Sequence, residues 1–125
     1  MKLRHVFLFQ TIVSTINGGL NILAPKFNMS MYGLDSLSPR EVMMVQLWGA
    51  ALLSYAVVAW YARNAEDSIA RRSIVIGFGF THLIGFVVSL LGTLNGTVNV
   101  MGWIAVVLYL VLAVGYGYFF FRPSS

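Results

Sequence analysis

The chain has 125 residues and a formal net charge of +4; 58% of its residues are hydrophobic and 10% are charged. An ordinary soluble domain carries roughly 25% charged residues, so the composition excludes a disordered chain and argues against a water-soluble globule. No cysteine is present, which excludes a disulfide framework, a thiol redox centre and a cysteine zinc site.

A membrane-spanning helix needs about 20 consecutive apolar residues. With histidine counted as uncharged, Val6 to Pro25 meets that test and predicts a helix over about 5–24. It is long and carries Gln10, Asn17 and Asn21, and no small-residue cleavage pattern precedes Pro25. The segment therefore reads as a retained span and not as a cleaved signal. The loop that follows, Lys26 to Leu37, is the longest. Its Phe27, Met29, Met31, Tyr32 and Leu34 are too apolar for water and place it along the outer interface or over the end of the bundle.

The second span, about 40–62, has a marked start. Ser38 is suited to cap it, Pro39 to occupy its first position and Glu41 to return the bond three residues on. From Ser73 to Phe121 no charge occurs, which is long enough for two spans and a turn. Asn95-Gly96 is a strong turn dipeptide, so the stretch divides into helices at about 70–92 and 100–121. Backbone in hydrocarbon must satisfy its own hydrogen bonds, which helices and closed barrels alone achieve. These runs lack the alternation of barrel strands. The expected fold is all-α: one transmembrane domain over 1–125, an integral four-helix bundle.

Lysine and arginine near span ends set orientation. Lys2, Arg4, Arg63, Arg71, Arg72 and Arg122 fall on the side of the termini, and Lys26 and Arg40 on the other. Both termini are therefore expected in the cytoplasm. The positive charge reflects topology, and no nucleic-acid module accompanies it. Tyr32, Trp48 and Trp103 are expected near the outer headgroups, and Trp60, Tyr61, Tyr116 and Tyr118 near the inner ones.

The polar residues inside the spans form the candidate site. Gln10, Ser14, Asn17 and Asn21 recur at steps of four, three and four, which places them on one helix face. Gln46 and Ser54 share a face of the second span. His82, Gly85 and Ser89 share one of the third. Such groups turn inward, because lipid offers them no partner. They predict a polar seam that acts either as hydrogen-bonded glue between helices or as a pocket. Depth estimates at 1.5 Å per residue bring Asn17 to Gln46 and His82 to Tyr109. They predict a neutral His82 hydrogen-bonded to Tyr109, Gln46 or Asn17, and not a metal ligand. Should the chain belong to a pigment or haem complex, His82 is the candidate axial ligand. Ser14 with Gly18, Gly85 with Ser89, Ala113 with Gly117, and Gly77 and Gly79 with Gly115 and Gly117 are expected to mark close helix approaches.

All four carboxylates lie in loops or at helix ends, which argues against proton-coupled pumping or intramembrane acid catalysis. No phosphate-binding loop, nucleophile elbow or helical two-histidine zinc signature occurs, so no catalytic residue is assigned and no cofactor is predicted.

Ala24-Pro25 at the end of the first span, Met31-Tyr32-Gly33-Leu34, Leu47-Trp48-Gly49-Ala50 and Gly102-Trp103 give the layout a resemblance to the small bacterial four-helix membrane proteins of the DoxX-like group. The resemblance implies the four-helix architecture and a bacterial inner membrane. The thiol-linked roles associated with that group do not carry over to a chain without cysteine. The leading expectation is a non-catalytic accessory, assembly or stabilising subunit of a larger membrane complex, with other subunits or copies of itself as partners in the bilayer. The alternative is a binding module that holds a lipid, quinone or other small amphiphile in the seam. A small oligomeric transporter or channel is third.

Overall fold

The computed structural model describes residues 2–122. Its regular structure is entirely helical: α1 (Leu3–Leu23), α2 (Pro25–Met31), α3 (Pro39–Ala62), α4 (Ile69–Leu94) and α5 (Gly102–Phe121). Helices α1, α3, α4 and α5 are long and apolar enough to cross a membrane. Their bounds lie within two residues of those read from the sequence.

The cap of α3 forms as its sequence requires. Glu41 N donates to Ser38 Oγ at 3.2 Å, and Ser38 N donates to Glu41 Oε2 at 3.3 Å. This satisfies two of the backbone N–H groups that a helix start leaves free. Ser68 caps α4 with a single bond, accepting from Arg71 N at 3.1 Å.

One helix was not anticipated. The segment after the first span is not an open loop but opens with the seven-residue α2. Pro25 supplies the fixed φ and missing N–H that suit a first helical position. Asn28 Nδ2 donates to Asn21 Oδ1 at 2.6 Å, with both side chains buried, and this folds α2 back against α1. Two helical turns are too short to show a readable period.

The long helices form two close pairs, α1 with α3 and α4 with α5; between the pairs, α1 meets α5 more sparingly. Gly18 and Gly49 explain the first pair. A Cβ on either would lie 3.0 Å from the carbonyl oxygen of the other, so only glycine lets these backbones approach so closely. In the second pair, Gly79 faces the Tyr116 Cβ and Gly85 lies against the Tyr109 ring. Gly115 instead receives Val6 of α1, and Gly77 and Gly117 face open space. The expected approach of Gly77 and Gly79 to Gly115 and Gly117 therefore does not form as a glycine contact.

The packed core occupies only the half of the bundle nearer the termini. Phe7, Phe78, Tyr116 and Phe119 form its centre with Leu3, Val6, Val75 and Leu112. Phe7 meets Phe78 edge-on, with ring centroids 6.4 Å apart. Tyr116 is fully buried, which corrects its expected place in the headgroup belt. Its helical register, three and seven residues from Phe119 and Tyr109, turns it inward.

A half-hollow bundle and its polar lining

Toward the opposite end the helix pairs diverge and leave between them a cavity of about 470 Å³ that is open on one side. Its walls are mostly apolar, with Val13, Leu52, Val88 and Leu108 among them. Ser14 and Asn17 reach it from α1, His82 and Ser89 from α4, and Tyr109 from α5, while Tyr32 and Thr97 lie at the loop end. No Lys, Arg, Asp or Glu lines it.

The loops close its roof. Asn99 N donates to Tyr32 O at 2.9 Å, and Asn99 Nδ2 donates to Met31 O at 3.0 Å. Asn99 Oδ1 also accepts from Met101 N at 2.9 Å, which fixes the side chain for the task. Gly33, at φ +85°, turns the first loop against Asn99, a conformation that a Cβ would strain. The α1–α3 pair is thereby tied to the α4–α5 pair across the cavity. Burial pushes the Tyr32 phenol above its ordinary pKa.

His82 forms part of the floor and is 4% exposed. Its ring stacks on Tyr116, with centroids 5.9 Å apart and planes 6° apart, and is tilted against Tyr109 at 5.7 Å. Neither ring nitrogen has a hydrogen-bond partner. The expected bond to Tyr109, Gln46 or Asn17 is therefore absent. Equal depth brought the rings of His82 and Tyr109 together, but face contact replaced donation.

The α1 stripe is a single inward face, with Gln10, Ser14 and Asn21 buried and Asn17 half-buried, yet its members do different things. Gln10 is fully buried in the packed half, where Tyr116 O–H donates to its Oε1. Its Nε2 has no partner. Ser14 and Asn17 line the cavity. Asn21 holds α2. Asn17 Nδ2 donates to Val13 O in its own helix at 3.0 Å, so it does not bridge to Gln46.

Gln46 and Ser54 do not join the seam. Both are exposed. Gln46 Nε2 reaches Ile22 O at 3.4 Å, and Ser54 Oγ donates to Ala51 O at 2.8 Å. The Gly18–Gly49 contact sets the face by which α3 meets α1, and that rotation leaves both residues outside the seam. On α4, by contrast, His82, Gly85 and Ser89 all line the cavity.

The sequence reading missed Tyr116 as the stacking partner of His82 and the roof contact of Asn99. Tyr109, Leu112 and Tyr116 recur at helical spacing, a signal that would have placed Tyr116 inward. Nothing local in the sequence marks Asn99 as a tie between loops. Among the described residues, no group of three His, Asp or Glu side chains gathers to hold a metal ion. Comparison with protein-family models, curated proteins and solved structures returns no match for this chain.

Proposed function

We propose that this chain is a membrane-embedded binding protein that holds a small amphiphile between its two helix pairs. The cavity of about 470 Å³ carries the reading. Closed engineered cavities cost about 24 cal/mol per Å³; at that rate about 11 kcal/mol is an upper bound for leaving this space empty, since it is open on one side. Whole domains are stable by roughly 5–15 kcal/mol. A bundle in a bilayer would not leave such a space unfilled. Mostly apolar walls disfavour water as the filling, and the volume falls in the range of small-molecule sites, roughly 300–1,000 Å³. An apolar molecule with a few polar atoms fits both the walls and the sparse polar groups.

The lysine and arginine distribution supports an orientation with both termini in the cytoplasm and the cavity in the outer leaflet, and the bacterial inner membrane rests on the DoxX-like resemblance. The four-helix layout is compatible with a DoxX-like relationship. Purification in mild detergent, followed by organic extraction and mass spectrometry, tests the binding reading. One amphiphile retained in near-stoichiometric amount through washing supports it. Protein that remains folded with only bulk lipid refutes it, and a stable larger partner in the same preparation favours the accessory-subunit alternative.

A further inference from the structure

We propose that the bound amphiphile is an uncharged single-chain lipid alcohol, seated head-down with its hydroxyl at His82. This deepens the binding reading and rests on it. Three observations lead to this ligand. First, no charged side chain lines the cavity, so an anionic or cationic headgroup would be buried without a counter-ion, which is strongly unfavourable.

Second, His82 is the polar group of the floor whose hydrogen-bonding capacity is wholly unused. A neutral imidazole carries one donor and one acceptor nitrogen. A hydroxyl serves either tautomer, because it accepts from the N–H or donates to the bare nitrogen. Both nitrogens are shielded in the stacked ring, so binding requires the ring's broad torsion to turn one of them to the alcohol. Ser14 and Asn17 line the same cavity from α1.

Third, about 470 Å³ corresponds to about 16 water-sized volumes of ~30 Å³ each. That matches one chain of about as many carbons. The Asn99 tie closes the aqueous end, whereas α3 and α4 do not pack as a close pair. The alcohol therefore enters sideways from the bilayer.

The test uses the full chain in lipid nanodiscs and two photoactivatable probes with the same chain, hexadecan-1-ol and hexadecyl sulfate, each bearing a diazirine near the chain end. Crosslinked peptides are mapped by mass spectrometry. The alcohol should label cavity-lining residues, and the sulfate should label them at least tenfold less. Equal labelling by both, or preference for the sulfate, overturns the uncharged-head proposal while leaving the binding reading intact. If neither probe reaches the cavity and no other amphiphile co-purifies, both readings fail together. His82→Phe should weaken competition by unlabelled hexadecan-1-ol about two- to tenfold, the value of one lost hydrogen bond. His82→Gln, which keeps a donor and an acceptor, should restore most of it. Unchanged competition in a folded His82→Phe protein overturns the role given to His82. The comparison of the two probes on the unaltered chain needs no variant to fold.

Discussion

Filling the cavity with protein separates an occupied site from an idle void. Gly92 lines the cavity, and a Cβ placed there meets nothing within 4 Å. Gly92→Leu brings four carbons, each about the ~30 Å³ of a water, or about 120 Å³ in all. At about 24 cal/mol per Å³ of void removed, the variant gains up to about 3 kcal/mol if the protein is first stripped of bound amphiphile. In the unstripped protein the sign reverses, because the new side chain displaces a molecule that already fills the space. Gly77→Leu is the control. It makes the same change on the same helix, also with open space around the Cβ, but outside the cavity. Thermal unfolding in mild detergent, before and after exhaustive delipidation, reads both signs, and mass spectrometry reads the retained amphiphile. Gly92→Leu should melt higher than the parent after delipidation and lower before it, and should lose the amphiphile. If it behaves like Gly77→Leu in both conditions, the space is not a binding cavity.

Four further outcomes follow from the same geometry. Gly49→Ala should destabilise the protein by about 1–3 kcal/mol through overpacking, since its Cβ would lie 2.8 Å from the Asn21 Cβ and 3.0 Å from Gly18 O; SDS titration should show Gly77→Ala nearly neutral beside it. Tyr116→Phe removes the donor to Gln10 Oε1 and should cost about 1–3 kcal/mol for the unpartnered buried amide, whereas the double variant with Gln10→Leu should recover most of that loss in the same titration. Asn99→Ala removes the side-chain bond to Met31 O and the one from Met101 N, and should raise amide hydrogen exchange at Tyr32–Leu34 without lowering the melting temperature by more than a few degrees. Because the chain has no cysteine, a single Thr97→Cys should react with an impermeant maleimide from outside intact spheroplasts, and reaction only after lysis would reverse the orientation.

The spans were legible because hydrocarbon demands long apolar stretches and a backbone satisfied within each helix. The α3 cap was legible because Ser38 and Glu41 act on their own neighbours. The α1 stripe was legible as a face, since spacing alone fixes which side chains point together. What the spacing could not fix is the rotation of one helix about another. Gln46 and Ser54 share a face with each other, yet the Gly18–Gly49 contact turns that face away from the seam. Tyr116 looked like a headgroup aromatic by its distance from the chain end, and its burial depends on packing against Phe7 and Phe78. The cavity itself is a matter of how two helix pairs diverge, and no residue encodes that alone.

The choice between glue and pocket turns on where the interior hydrogen bonds go. If the polar residues served as glue, they would bond from one spanning helix to another. Among the described residues, Gln10 and Tyr116 do so with both side chains buried, and they lie in the packed half. In the hollow half Gln46 Nε2 reaches from α3 to Ile22 O on α1 at 3.4 Å, but from an exposed position outside the cavity; among the cavity-lining residues the pattern differs. Asn17 bonds to Val13 O, Ser89 to Phe86 O and Thr93 to Ser89 O, each within its own helix. His82 bonds to nothing. Groups that return to their own backbone hold no helices together, and in hydrocarbon a polar side chain without such a task is costly. Their shared position around one space of about 470 Å³ gives them a common purpose that glue does not. The α1 stripe read from the sequence therefore holds three devices on one helix face: a bonded clamp at Gln10, cavity lining at Ser14 and Asn17, and a tie to α2 at Asn21.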